Sequence, residues 1–80
     1  MTKSKTGTTF TSHVHVLRAT KRMSQAELAK LVGCSRQTII QIERNRYNPS
    51  LLLAKDIAHV FGVPLEQAFE FTHEEGETDE

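Results

Sequence analysis

Several absences bound what this chain of 80 residues can be. No apolar run approaches 18 residues, so no membrane-spanning helix is expected. Lys3 and Lys5 are followed by no apolar segment, so no secretory signal is read at the start. Cysteine occurs once, at Cys34, which excludes an internal disulfide and fits a reducing, cytoplasmic setting. His13 and His15 stand two apart, a spacing that does not share a helical face, and His59 and His73 add no ligand cluster, so no metal is expected. The sequence also lacks a Ser/His/Asp set, a carboxylate pair and a phosphate-cradling glycine loop. An enzyme is therefore not expected, nor a cofactor. Eighty residues make one domain at most, without a second one to sense a small-molecule ligand. A chain this short buries only ~60% of its unfolded surface and gains from a partner subunit.

What is present is an uneven distribution of charge. Lys plus Arg balance Asp plus Glu over the whole chain, for a net charge of zero. Yet five of the ten acids, Glu74, Glu75, Glu77, Asp79 and Glu80, follow His73. Residues 1–73 hold all ten basic residues against Glu27, Glu43, Asp56, Glu66 and Glu70, a net +5. A phosphate-binding surface needs such an excess, although small domains also carry it without a partner.

The stretch Ser24 to Asn45, SQAELAKLVGCSRQTIIQIERN, reads as two short helices joined by a tight turn. Ser24 is placed to cap the first, with Glu27 closing a capping box and Met23 and Leu28 at staple spacing. Leu28, Leu31 and Val32 mark its apolar face, and Gly33 suits the left-handed position that ends it. Ser35 caps the second helix, whose buried face is Ile39 and Ile42. Its outward face is Arg36, Gln37, Ile40, Gln41 and Arg44. Arginine forks onto guanine and glutamine onto adenine in the major groove, so this face suits base readout. A helical hairpin with a solvated polar face would show the same periodicity.

The residues themselves decide between the two. S-Q-A-E-L-A-x-x-V-G-x-S-R-Q-T-I-x-x-I-E, then R-Y-N-P-S-L-x-L-A-x-x-I-A and F-G-V-P-L-E-Q-A-F, resemble the lambda-repressor/Cro-like (XRE) helix-turn-helix regulators, from about Val14 to Phe71. The likeness is to short, single-domain, dimeric members. It implies an all-α, five-helix domain that binds double-stranded DNA. It further implies that Arg18, seven before Gln25, pairs with Glu43 late in the recognition helix. Arg36, Gln37 and Gln41 then face base edges, with Thr38 and Ile40 near thymine methyls. Gln25, Ser35, Arg44, Arg46, Tyr47 and Asn48 are the phosphate candidates. Cys34 stands where relatives carry an apolar residue, so a buried or half-buried structural thiol is expected.

In chain order, residues 1–11 read as a flexible arm and residues 12–72 as the domain. Helix 1 spans His13 to Lys21, capped by Ser12, with Val14 and Leu17 buried. Asn45 tolerates the left-handed backbone at which many relatives have glycine. Ser50 caps helix 4, Leu51 to Phe61, and Pro64 to Phe69 forms helix 5. Phe69 to Thr72 alternates as a short strand would, and the resemblance supplies Thr11 to Val14 as its antiparallel partner. Residues 73–80 read as a disordered acidic tail. Leu52, Leu65, Phe69 and Phe71 are more apolar surface than a lone domain this small exposes, so a homodimer is expected through them. The function expected is a regulator of transcription, acting by repression on a two-half-site operator. An antitoxin, a restriction-system controller or a protein-interaction adaptor would share the fold.

Overall fold

The computed structural model describes residues 7–73. The basic residues Lys3 and Lys5 and the acidic tail beyond His73 lie outside them. The element order is β1 (Thr8–Ser12), α1 (Val14–Lys21), α2 (Gln25–Val32), α3 (Arg36–Glu43), α4 (Leu51–Phe61), α5 (Leu65–Ala68) and β2 (Phe69–His73). Five helices and a two-stranded antiparallel sheet match the fold class that the sequence implies.

Each helix end is written locally. Ser24 Oγ accepts the Glu27 amide N–H while Glu27 Oε1 accepts the Ser24 N–H, closing the capping box. Ser35 and Ser50 cap α3 and α4 by accepting from the Thr38 and Leu53 amides. Gly33 ends α2 at φ 77°, and no atom would meet a Cβ there, so backbone conformation alone demands glycine. The α1 helix begins one residue later than expected, at Val14, whose N–H donates to Ser12 Oγ at 3.2 Å. The last helix is shorter than expected: Phe69 leaves α5 for an extended backbone at φ −138°, ψ 122° and opens β2.

The largest departure is at the N-terminal side. The segment expected as a flexible arm is, from Thr8, a strand paired with β2 over five residues, Thr8 with His73 through Ser12 with Phe69. Only Thr11 and Ser12 of the expected partner segment belong to it. The reason is Phe10, which is 3% exposed and meets the Phe69 ring at a centroid distance of 6.1 Å. An aromatic at each end of the domain gives the strands something to bury, which a polar leader would lack.

The core is continuous from the sheet into the helices: Phe10, Val14, Leu28, Ile39, Ile42, Ile57, Phe61 and Phe69 are all buried. Two residues fall outside their expected places. Leu31, assigned to the apolar face of α2, is 61% exposed, and its place is taken by the buried Ala29. Phe69, assigned to the dimer surface, is 1% exposed and is among the largest core side chains. Alternation along β2 turns Phe69 inward while Phe71 stays 53% exposed.

Phe69→Ala should therefore destabilise the domain by about 3–5 kcal/mol, most of what a small domain has. Leu31→Ala should cost less than about 1 kcal/mol. Urea unfolding of both variants checks this, and similar losses would contradict the burial pattern.

Candidate nucleic-acid interface

The recognition-helix candidate, α3, is held from below by a four-part polar cluster. Arg18 Nε donates to Glu43 Oε2 at 2.6 Å and Arg18 Nη2 to Glu43 Oε1 at 3.1 Å. Arg18 Nη1 donates to the Met23 carbonyl at 2.9 Å, and Gln25 Nε2 donates to Glu43 Oε1 at 3.1 Å. One carboxylate at the end of α3 is thus tied to α1, to the α1–α2 turn and to the start of α2. The Arg18 side chain is 19% exposed and that of Glu43 8%. The hydrogen bonding of the Arg18 guanidinium to Glu43 holds it above its ordinary pKa; burial opposes this, and the Glu43 charge adds to it. The pairing that the resemblance implied is thus present in the structure.

On this base α3 presents a graded outer face. Arg36 and Gln37 are exposed at its N-terminal end, Thr38, Ile40 and Gln41 are half-buried, and Arg44 is exposed at its C-cap. Thr38 and Ser35 share a hydroxyl–hydroxyl hydrogen bond of 3.0 Å, and Ser35 Oγ also accepts the Thr38 amide, so both hydroxyls already serve the cap. After α3 the chain turns at Asn45, φ 60°, as its tolerance of the left-handed region led one to expect. Asn45 also has a role that sequence reasoning missed: its Oδ1 accepts the Ser12 N–H at 2.7 Å, locking β1 to the loop behind α3. Arg46 and Tyr47 follow on the surface, Tyr47 45% exposed.

Not every candidate stands with the others. Gln25 is half-buried and its amide serves Glu43, which leaves one amide hydrogen for another acceptor. Asn48 lines a groove of about 200 Å³ with Phe10, Pro49, Leu51, Leu65 and Phe71, on the apolar side of the molecule. Cys34 is half-buried against the core, and burial pushes its thiol above its usual pKa, so it stays protonated and structural. Among the described residues no group of three or more His, Cys, Asp or Glu side chains could hold a metal ion, and no helix is long and apolar enough to cross a membrane.

One residue absent from the sequence-based set belongs beside α3. His15, in the first turn of α1, lines a hollow of about 400 Å³ with Gln25, Arg36, Ile40, Glu43 and Arg44. The signal for it was its position three before Arg18, which puts both side chains on one face of α1.

A polar helix on a capped two-helix unit is the architecture of the helix-turn-helix, and comparison with known proteins agrees. The helix-turn-helix family model matches residues 15–67. The chain belongs to this family, in its lambda-repressor/Cro-like (XRE) branch, and is a transcriptional regulator rather than an enzyme. It is 47% identical over 64 residues to an uncharacterized HTH-type transcriptional regulator of Archaeoglobus fulgidus, covering 80% of this chain and 90% of that protein. It is 33% identical over 55 residues to the immunity repressor protein of Bacillus phage phi105, covering 69% of this chain but 38% of the repressor. The crystal structure of the transcriptional regulator VanUg shares the fold, with a TM-score of 0.70 over 92% of this chain and 99% of that one, at 21% identity.

Glu43→Ala should remove a carboxylate that accepts three hydrogen bonds, leaving the Arg18 charge partly buried. A fully buried pair broken this way costs about 3–5 kcal/mol; the partial exposure of Arg18 lowers the expectation to about 2–3 kcal/mol. Thermal and urea unfolding report it, and an unchanged midpoint would contradict the cluster's structural role.

Proposed function

We propose that this regulator is a repressor that binds duplex DNA as a homodimer, one α3 helix entering the major groove from each subunit. The observation that carries the reading is the outer face of α3, where exposed Arg36 and Gln37 stand at the N-terminal tip of a helix whose other end is anchored through Glu43. Preorganised side chains of these types suit bidentate readout, Arg36 onto guanine and Gln37 or Gln41 onto adenine. Thr38 and Ile40 add contact to thymine methyls. Arg44, Arg46 and Tyr47 flank this face and hold phosphates, and Gln25 adds its remaining amide hydrogen. Repression is supported by the likeness to a phage immunity repressor, and its mechanism would be occupancy of a promoter. The net positive charge of residues 1–73 favours DNA over a neutral partner surface. The antitoxin, controller and adaptor readings draw no support from the relatives' names.

The homodimer is supported by exposed apolar residues on α4 and β2. Leu51 and Phe71, 65% and 53% exposed, line a groove with Leu65, and Leu52, next to Leu51 on α4, is 76% exposed. Phe69 lies beneath this surface as its floor. A two-fold contact here would bury the same patch on both subunits. Sedimentation at micromolar concentration should give twice the chain mass, and Leu52→Glu with Phe71→Glu should return it to the monomer mass. A wild-type monomer that still holds an operator tightly would overturn the assembly.

The contact assignments separate on substitution. Arg36→Ala and Gln37→Ala should each lose about 1–3 kcal/mol on an operator and much less on a scrambled duplex. Arg46→Ala should weaken both duplexes alike and lower the salt slope by about one unit per subunit contact. Fluorescence anisotropy across a salt series measures all three. Equal losses on both duplexes for Arg36→Ala and Arg46→Ala would remove α3 from the role of reader.

A further inference from the structure

Of the residues that line the hollow between α1, α2 and α3, His15 alone has no part in the assignments above. Its floor is the Glu43 carboxylate, and that charge is already matched by the Arg18 guanidinium and bonded by Gln25. The rim is cationic, with Arg36 and Arg44 on α3, and the exposed His15 closes it from α1. A neutralised floor under a basic rim is a place for an anion.

The fold fixes which anion reaches it. A helix with its side chains is about 10–12 Å across, and the major groove is about 12 Å wide. A helix seated there has a phosphate backbone close along each flank. The α1-facing flank of α3 is where Arg36, Ile40 and Arg44 recur at every fourth residue, and His15 stands on that flank from the neighbouring helix. We infer that this hollow seats a backbone phosphate of the duplex, and that His15 is a DNA-contacting residue donating a ring N–H to it. The inference rests on the DNA-binding reading and adds to it a contact from α1, outside the helix-turn-helix. It makes α1 part of the binding surface as well as the anchor of Glu43. Because phosphate carries no base identity, the contact holds the protein on any sequence.

The test uses the full chain with an operator and a scrambled duplex. His15 is exposed in the first turn of α1, so His15→Ala, His15→Lys and His15→Glu should keep the wild-type circular dichroism and melting midpoint. His15→Ala should weaken both duplexes by the same factor, about fivefold for one lost hydrogen bond. His15→Lys should restore binding, and His15→Glu should weaken it on the order of tenfold or more by placing like charge against phosphate. Duplexes carrying one neutral methylphosphonate at each backbone position in turn locate the contact. One position in each half-site should cost the wild type affinity and cost His15→Ala nothing further. If His15→Ala and His15→Glu bind as the wild type does while Arg46→Ala loses affinity, the assignment of His15 is overturned and the DNA-binding reading stands. If the wild type binds neither duplex, both are overturned.

Discussion

A single carboxylate, that of Glu43, determines where the recognition helix sits. It receives two hydrogen bonds from Arg18 and one from Gln25, so the end of α3 is fixed to α1 and to the start of α2 at once. Arg18 also bonds the Met23 carbonyl, which fixes the turn between those helices. Apolar packing alone would let short helices slide, because hydrophobic contact is not directional. A bidentate guanidinium–carboxylate pair has a set geometry. The outer face of α3 is then presented at a fixed angle, a condition for side chains that must match base edges.

Around that pair the chain divides its labour by face. Ile39 and Ile42 turn inward to meet Leu28, Val14 and Ile57, while Arg36 and Gln37 turn out. The sheet closes the opposite end, with Phe10 and Phe69 buried together and Phe71 left at the surface among leucines. Asn45 connects the two ends. Its left-handed backbone lets the chain leave α3, and its side chain receives the Ser12 N–H where β1 stops. The exposed polar residues of α3 and the apolar groove of Leu51, Leu65 and Phe71 are thus separate surfaces of one small domain.

Much of this was legible in the residues, for physical reasons that differ by element. Helix ends at Ser24, Ser35, Ser50, Gly33 and Gly62 are encoded by local hydrogen bonding and backbone preference, so they could be placed without tertiary information. The Arg18–Glu43 pair spans 25 positions and no helical wheel could show it; only the resemblance to a family made it visible. The early part of β1 was missed because its one apolar residue, Phe10, gives no periodicity, and its reason to pair lies at Phe69, far along the chain. Phe69 was placed on the surface because apolar residues near a chain end can serve either core or interface, and sequence order does not separate those roles. The α1 flank of the site was missed for a related reason. His15 shares a face of α1 with Arg18, but only the packing of α3 beside that face brings it to the hollow lined by Arg36 and Arg44.

The central claim is that α3 reads sequence and that two copies do so together. Selection of bound sites from random duplex DNA by the purified full chain tests it most directly, since no operator need be known. The account predicts enrichment of a two-fold symmetric site, its half-sites roughly 10 base pairs apart centre to centre, each containing guanine and adenine within reach of one helix tip. A bound pool with the composition of the starting library, after several rounds, would contradict it.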